Sequence, residues 1–335
     1  MGNQLIVTYI RSSSYNAESI CQNSYFLSYV LGIRSLSGKA ADMGNVVHKA
    51  MELFARQKQC WQAGTEGYED ENFGYLKAAD INDEMAVDIS YKYYSEMSPH
   101  LTWTKADLKT CHGWTAKAVQ LNDGMYDPRK QDVVEAEQKF DFVIDKPWAA
   151  YEYELGGEII KGQLGIKGTM DLVVRDGPND IHVIDYKTGQ RKDWAKDGND
   201  KKTYKELRYD PQLCIYHYAT CMLFPEAEDI TMTIYYINDG GPFTFFFEKK
   251  DMEFTESILQ KKFDRIRNTK VPNLRVSYRC TKFCYFGKNM SEQDPTKTIC
   301  QFHKEQVDKI GVEQTMLQFG STGAYKSYGS GGGRQ

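Results

Sequence analysis

The sequence predicts a mixed α/β fold in which one sheet is flanked by helices. Two kinds of stretch carry that expectation. From Val133 the apolar residues recur with a strand-like period, through VVEAEQKFDFVI, YEYELGGEII and GTMDLVVRDGPNDIHVIDYKTG, with ITMTIYYIND and PFTFFFEKK further on. Helical patterns bracket these strands: NVVHKAMELFARQ, with Val47, Met51 and Phe54 on one stripe, then YDPQLCIYHYATCMLF and FTESILQKKFDRIRN. Strands and helices interleaved in this way pack as layers around one sheet.

Taken in order, residues 1–36 read as a short strand, LIVTYI, a Ser-rich turn and a helix through AESICQNSYFLSYVLG, with Ser14 or Asn16 as its cap and Gly32 as its end. Residues 62–130 read as a polar, helical insertion without a motif. The strands of the core fall within 133–250, where Pro211 suits the first turn of the helix it opens. A basic helix and a group of cysteines occupy 255–305, and the Gly/Ser-rich stretch 321–335 is expected to be disordered. Residues 1–320 are expected to form a single domain.

At 335 residues the chain can bury a sizeable core. A net charge of −4 does not announce a nucleic-acid partner. It hides an asymmetry, because eight basic residues between Lys261 and Lys282 stand against Asp264 alone. That run is either a solvated face or a phosphate-tracking surface. No apolar run approaches the roughly 18 residues of a membrane span. The N-terminus lacks the basic lead-in of a signal peptide, and a myristoyl site at Met1-Gly2 has no second membrane signal beside it. A cytoplasmic protein is the expectation.

The hairpin GTMDLVVRDGPNDIHVIDYKTG places Asp171, Asp185 and Lys187 inside apolar strands. With the turn tip at Gly177-Pro178-Asn179, Asp171 falls opposite Asp185, and opposed side chains have Cβ atoms about 4.5–5.5 Å apart. Lys187 shares the face of Asp185 while Tyr186 points away. A buried Asp–Lys pair would leave one carboxylate uncompensated, which costs several kcal/mol. A divalent cation between the carboxylates removes the repulsion, and hard oxygen ligands suit Mg²⁺ or Mn²⁺. With Lys187 alongside, this is the chemistry of phosphodiester hydrolysis.

GTMD…VIDYKTG resembles the G-x-x-D…(D/E)-x-K signature of the PD-(D/E)XK nucleases, specifically their RecB-like branch. GNVVHKAMELF resembles the branch's G-x-x-x-H-x-x-x-E helix and DPQLCIYHYA its Q-x-x-x-Y helix, so the likeness runs from about 12 to 303 with 62–130 unmatched. It implies a restriction-endonuclease-like core and a metal-dependent DNA exonuclease acting on single-stranded ends, in recombination, repair or phage DNA replication. His48, Asp171, Asp185 and Tyr186 are the implied metal-binding residues, with His48 a ligand or a metal-proximal base and Lys187 catalytic. Gln212 and Tyr216 would buttress the site and contact DNA, and Glu52 would orient His48. Glu135 and Glu137 share a strand face, and either could add a carboxylate. The chain lacks a G-x-x-x-x-G-K-[ST] motif, so strand separation would come from a helicase or recombinase partner. A DNA-binding module without strong catalysis, and an endonuclease or CRISPR-adaptation-type trimming nuclease, remain alternatives.

Eight cysteines in a chain of this length suggest metal or thiol chemistry rather than a disulfide framework. Cys60, Cys111, Cys214 and Cys221 read as packing residues. Cys280, Cys284 and Cys300, with Cys21 far upstream, resemble the layout of RecB-like nucleases that bind a [4Fe–4S] cluster through one cysteine before the core and three after it. Four thiolates suit a structural Zn²⁺ equally well. The gaps are wider than in that family, which makes Cys300 the least secure ligand, with His303 as an alternative to it.

Overall fold

The computed structural model describes residues 4–196 and 200–321, so the Gly/Ser-rich stretch from 322 onward lies outside the described residues. The chain opens with β1 (Tyr9–Ile10), α1 (Ser12–Ile20) and α2 (Gln22–Tyr25), followed by the long α3 (Lys39–Ala63). A small hairpin, β2 (Gly67–Asp70) and β3 (Gly74–Lys77), leads into α4 (Asp83–Met97) and α5 (Lys105–Gln120). Strands β4 (Val133–Val143), β5 (Ala150–Leu155), β6 (Glu158–Gln163), β7 (Gly165–Gly177) and β8 (Asp180–Lys187) come next. Then follow α6 (Tyr204–Arg208), α7 (Pro211–Leu223), β9 (Asp229–Tyr236), β10 (Phe243–Phe247) and α8 (Met252–Arg267). The chain closes with α9 (Tyr278–Lys282), α10 (Tyr285–Lys288) and α11 (Ile299–Phe319).

The result is the mixed α/β architecture of the sequence reading, a central mixed sheet between two helical layers. Its strand order is β1-β7-β8-β9-β10, with β4 on the other edge of β7. β7 is the hub. β4 runs antiparallel along one edge of it, while β1 pairs with its first two residues and β8 with its last part on the other edge. β8 and β9 run parallel, joined by α7, the crossover that parallel strands require. On one face Leu172, Val174, Ile184 and Tyr186 pack against α3, α4 and α5. On the other, Val173, Ile181 and Val183 pack against α7, α8 and α11. Val47, Met51 and Phe54 are all buried, so the stripe read from the sequence is the face that α3 lays on the sheet. Removing one such ring, as in Phe54→Ala, costs about 3–5 kcal/mol.

Several elements differ from the sequence reading. The first helix starts at Ser12, so Ser14 and Asn16 lie inside it rather than capping it, and Ser14 Oγ reaches back to accept the Arg11 N–H at 3.0 Å. It then breaks at Cys21, whose backbone is extended, before α2. The 62–130 insertion contains the β2–β3 hairpin. Its polar turn is built by Asp70, whose carboxylate accepts the Asn72 N–H at 2.9 Å, and by Gly74 in the left-handed region. β5 and β6 form a separate two-stranded sheet closed by Gly156-Gly157, both at positive φ as a tight two-residue turn requires. The 21-residue α11, which carries Cys300, was not anticipated. Among the described residues no helix is long and apolar enough to cross a membrane.

The basic run does not form a free stripe. Buried Lys262 and half-exposed Arg265 both pair with Glu18 of α1, the latter at 2.8 Å, and Arg267 pairs with Asp264 at 2.5 Å. Arg275 donates to the Ala195 carbonyl at 2.6 Å, and Arg279 donates to that of Trp194 while lying over its ring. Lys262, Arg265, Arg275 and Arg279 tie distant segments together, while Lys261, Lys270 and Lys282 are exposed.

Candidate functional site

The site forms where β7 loses a neighbour. The β7–β8 ladder ends at the Leu172–Ile184 pair, and β1 covers only Gly165 and Ile166. Backbone groups in the gap between them find side-chain partners instead. Asp171 Oδ2 accepts the Tyr186 N–H at 2.8 Å, and Tyr216 Oη donates to the Thr169 carbonyl at 2.6 Å. Extending the β7–β8 register by one residue sets Asp185 beside Asp171, as the hairpin arithmetic requires. On the other side the β4 register, Ala136 to Leu172 and Gln138 to Met170, sets Glu137 beside the same Asp171. Three carboxylates therefore stand in a row across β4, β7 and β8.

Glu137 reaches this row through its backbone, which sits at φ +50°, with a register shift further back in β4 between Val133 and Glu135. A left-handed conformation at a residue other than glycine costs on the order of 1–3 kcal/mol, and such strain gathers at functional sites. Glu135 turns elsewhere and pairs with Arg56. His48, projecting from α3, puts Nδ1 3.2 Å from Asp171 Oδ2. Ligand atoms of His48, Glu137 and Asp171 all lie within 4.8 Å of one another, so these residues can share an ion. Glu52 bonds Lys49 at 3.0 Å rather than His48.

Asp185 is fully buried. Lys187 Nζ lies 2.8 Å from its Oδ1 and 2.6 Å from its Oδ2, and Gln212 Nε2 donates to Oδ1 at 2.9 Å. Among the described residues Oδ2 has no partner in hydrogen-bond geometry. Gln212 is set by α7, whose Asp210 cap accepts its N–H at 2.9 Å, and its amide also meets Tyr216 Oη at 2.9 Å. Tyr186 is different: its ring is buried in the opposite layer, with the hydroxyl on the Tyr126 carbonyl at 2.8 Å. Only its main chain faces the site.

Electrostatics follow from this crowding. Burial pushes the Asp185 carboxyl up to about 6 against the pull of Lys187, with Asp171 adding to the rise. Burial and then the Asp171 charge push Glu137 up to about 7. Burial would raise Asp171 too, but His48 outweighs it and holds that carboxyl below its ordinary value. Burial acts to discharge His48 and Lys187, yet the surrounding carboxylates raise both. Two raised acids beside a lowered one mark an excess of buried negative charge that a divalent cation would relieve. Asp185 Oδ2, which meets the Lys187 ammonium but accepts no hydrogen bond in good geometry, and the hard donor set both fit Mg²⁺ or Mn²⁺.

A second cavity, of about 580 Å³, is lined by Cys21, Cys280, Cys284 and Cys300. All four are free thiols of intermediate exposure. Burial pushes the Cys300 thiol up to about 11, with Cys21, Cys284 and Cys280 adding to it as close neighbours. Asn23 donates to Cys300 Sγ at 3.1 Å. His303 is not a substitute: it is buried against Phe302 and Phe319, with Nδ1 on the Ile299 carbonyl at 2.9 Å, and does not line this cavity. Cys60, Cys111, Cys214 and Cys221 are buried, as packing residues would be.

A sequence model described as the PD-(D/E)XK nuclease superfamily matches residues 12–288. No curated protein matches the chain. Among solved structures, a candidate exonuclease from Eubacterium rectale is 13% identical, with 85% of this chain and 91% of that one covered and a TM-score of 0.46. A second, the protein SSO0001, is 18% identical over 48% of this chain and 60% of its own, with a TM-score of 0.22.

Proposed function

The chain belongs to the PD-(D/E)XK nuclease superfamily, whose members are metal-dependent nucleases acting on DNA, and from that premise we propose that it is an exonuclease that digests single-stranded DNA ends with Mg²⁺ or Mn²⁺. The observation that carries this reading is the row Glu137–Asp171–Asp185, with His48 on Asp171 and Lys187 on Asp185. Asp171, Asp185, Glu137 and His48 would hold the ion, with the main chain of Tyr186 beside them. When bound, it supplies Lewis-acid polarisation of the scissile phosphate. Lys187 stays charged in the field of two carboxylates and faces a phosphoryl oxygen. Gln212 fixes the rotamer of Asp185, and Tyr216 anchors Gln212 to β7. The carboxylates open into a walled cavity, which suits a strand end better than the middle of a duplex. Service in recombination, repair or phage replication, with a helicase or recombinase as partner, belongs to the same reading.

The reading of the cysteine cavity is a [4Fe–4S] cluster, as the resemblance implies, with a structural Zn²⁺ as the alternative: four thiols lining one cavity suit either. Protein purified without oxygen should be brown and carry iron and sulfide; colourless protein with one zinc per chain would overturn the cluster and leave the nuclease intact.

The deciding assay uses end-labelled linear and circular DNA, single-stranded and duplex, with and without Mn²⁺. Mononucleotide release from linear single strands, stopped by a chelator, is expected. Cleavage of circles would make the protein an endonuclease. Tight binding without cleavage in Mn²⁺ would make it a binding module.

A further inference from the structure

Glu137 and Asp171 of the three-carboxylate row line one end of a cavity of about 820 Å³ whose far walls belong to the insertion that carried no motif. α3 forms its floor from Asn45 to Ala63, about 27 Å of helix. The β2–β3 hairpin contributes Tyr68, and the C-terminal turns of α4 contribute Tyr93 and Tyr94. Tyr93 stands edge-on between Phe73 and Tyr94, with ring centroids 5.7 and 5.1 Å away, so the aromatic wall is braced from behind. The Tyr68 hydroxyl is buried and has no hydrogen-bond partner among the described residues.

The charge of this wall is mainly acidic, which makes a poor phosphate track. Beyond Glu137 it carries Glu52, Glu69, Asp70 and Glu71 against Lys49, Arg56 and the exposed Lys139. Lys49 is already engaged by Glu52 at 3.0 Å and Asp70 at 2.8 Å, and Arg56 by Glu135 and the Ala136 carbonyl. What remains is one exposed ammonium, a set of acceptors and ring faces. Acceptors meet the N–H groups on base edges, and rings stack on any base. A cavity of this size holds a mononucleotide or dinucleotide.

We propose that this cavity is a base subsite, which receives the unpaired bases at the end of a DNA strand while their phosphate lies on the carboxylate row. The Tyr68 and Tyr94 rings are its stacking surfaces, and the exposed Glu69 and Glu71 its acceptors. Paired bases have their edges occupied and cannot enter, so the subsite makes an unpaired end the substrate. This rests on the nuclease reading of the adjoining residues.

The test uses the full chain with Asp185→Asn, which halts cleavage, and a single-stranded oligonucleotide bearing 2-aminopurine at its terminal position. Binding should quench the fluorophore by stacking. Adding Tyr68→Leu and Tyr94→Leu together should relieve most of that quench, while Tyr94→Phe, which keeps the ring, should retain it. In the chain with Asp185 restored, the two Leu substitutions should raise KM for single-stranded ends about tenfold. If the double variant fails to fold, each single substitution is read instead. A folded Leu variant with unchanged quench and unchanged KM overturns the base subsite. An unsubstituted chain that cleaves no DNA in Mn²⁺ overturns the nuclease reading, and the quench then decides the subsite by itself.

Discussion

At the scale of single residues, the ammonium of Lys187 is the nearest positive charge to a fully buried carboxylate. Lys187→Met should fold and bind DNA yet cleave about 10²-fold more slowly, the usual loss for one preorganised electrostatic partner; kcat/KM in Mn²⁺ measures it. The two acids of β4 should separate cleanly. Glu137→Gln should weaken Mn²⁺ binding by about tenfold or more in calorimetry, while Glu135→Gln, aimed at Arg56, should leave it unchanged. Another buried titrating group gives a pH signature. Burial pushes His217 down to about 4, with its ring stacked on Phe247. An unfolded chain takes up that proton near pH 6.5. Stability contributed by the neutral ring is therefore intact above about pH 6.5 and falls as the pH drops toward 4. The loss amounts to roughly 3 kcal/mol for one such residue. His217→Phe should flatten the acid limb of melting temperature against pH, and an unaltered limb would assign it to other groups. Asp171, Asp185 and Lys187 were legible in the sequence because charges inside apolar strands break a pattern. The choice between Glu135 and Glu137 was not, because a register shift and one left-handed residue decide it and neither leaves a mark in the composition.

At the scale of elements, long apolar periods were legible and short polar ones were not. α3, α7, α8 and the strands from Val133 onward declared themselves by what they bury. The β2–β3 hairpin turns through EDENFG and buries little of itself, so its period is hidden by polar side chains. The basic run shows the opposite failure. Its charges were visible, but the partners of Lys262 and Arg265 lie more than two hundred residues away in the sequence, and those of Arg275 and Arg279 lie 80 and 85 away. Glu18 accepts both Lys262 and Arg265, and Glu18 and Lys262 are buried. Glu18→Gln leaves a buried ammonium without its counter-charge, which costs about 3–5 kcal/mol. The melting temperature should fall by several degrees. Arg267→Glu, whose partner is the half-exposed Asp264, should change it far less. Equal effects would mean that the α1–α8 pairing is incidental to stability.

At the scale of the whole molecule, the cysteine cavity draws three distant segments to one place. Beside it the Asn23 N–H donates to the Asn273 carbonyl at 3.1 Å, and the Ser321 N–H donates to the Leu31 carbonyl at 2.8 Å. If a metal group binds all four thiols, Cys21→Ala should lower both metal content and melting temperature, because one lost ligand frees the N-terminal helices from the C-terminal ones; full metal content in that variant would remove Cys21 from the set. The same closure has a consequence in time. Residues 5–31 reach β7 through β1, but the segment also bonds to Thr269, Asn273 and Ser321. On a ribosome adding about 5–20 residues per second, the N-terminal segment waits roughly 15 to 60 s for the last of them. During that interval Phe26, Leu27, Val30 and Leu31, all buried at the end, lack part of their cover. Folding of this chain is therefore completed only after nearly all of it has been made, and the nascent N-terminus is the place where a chaperone would be needed.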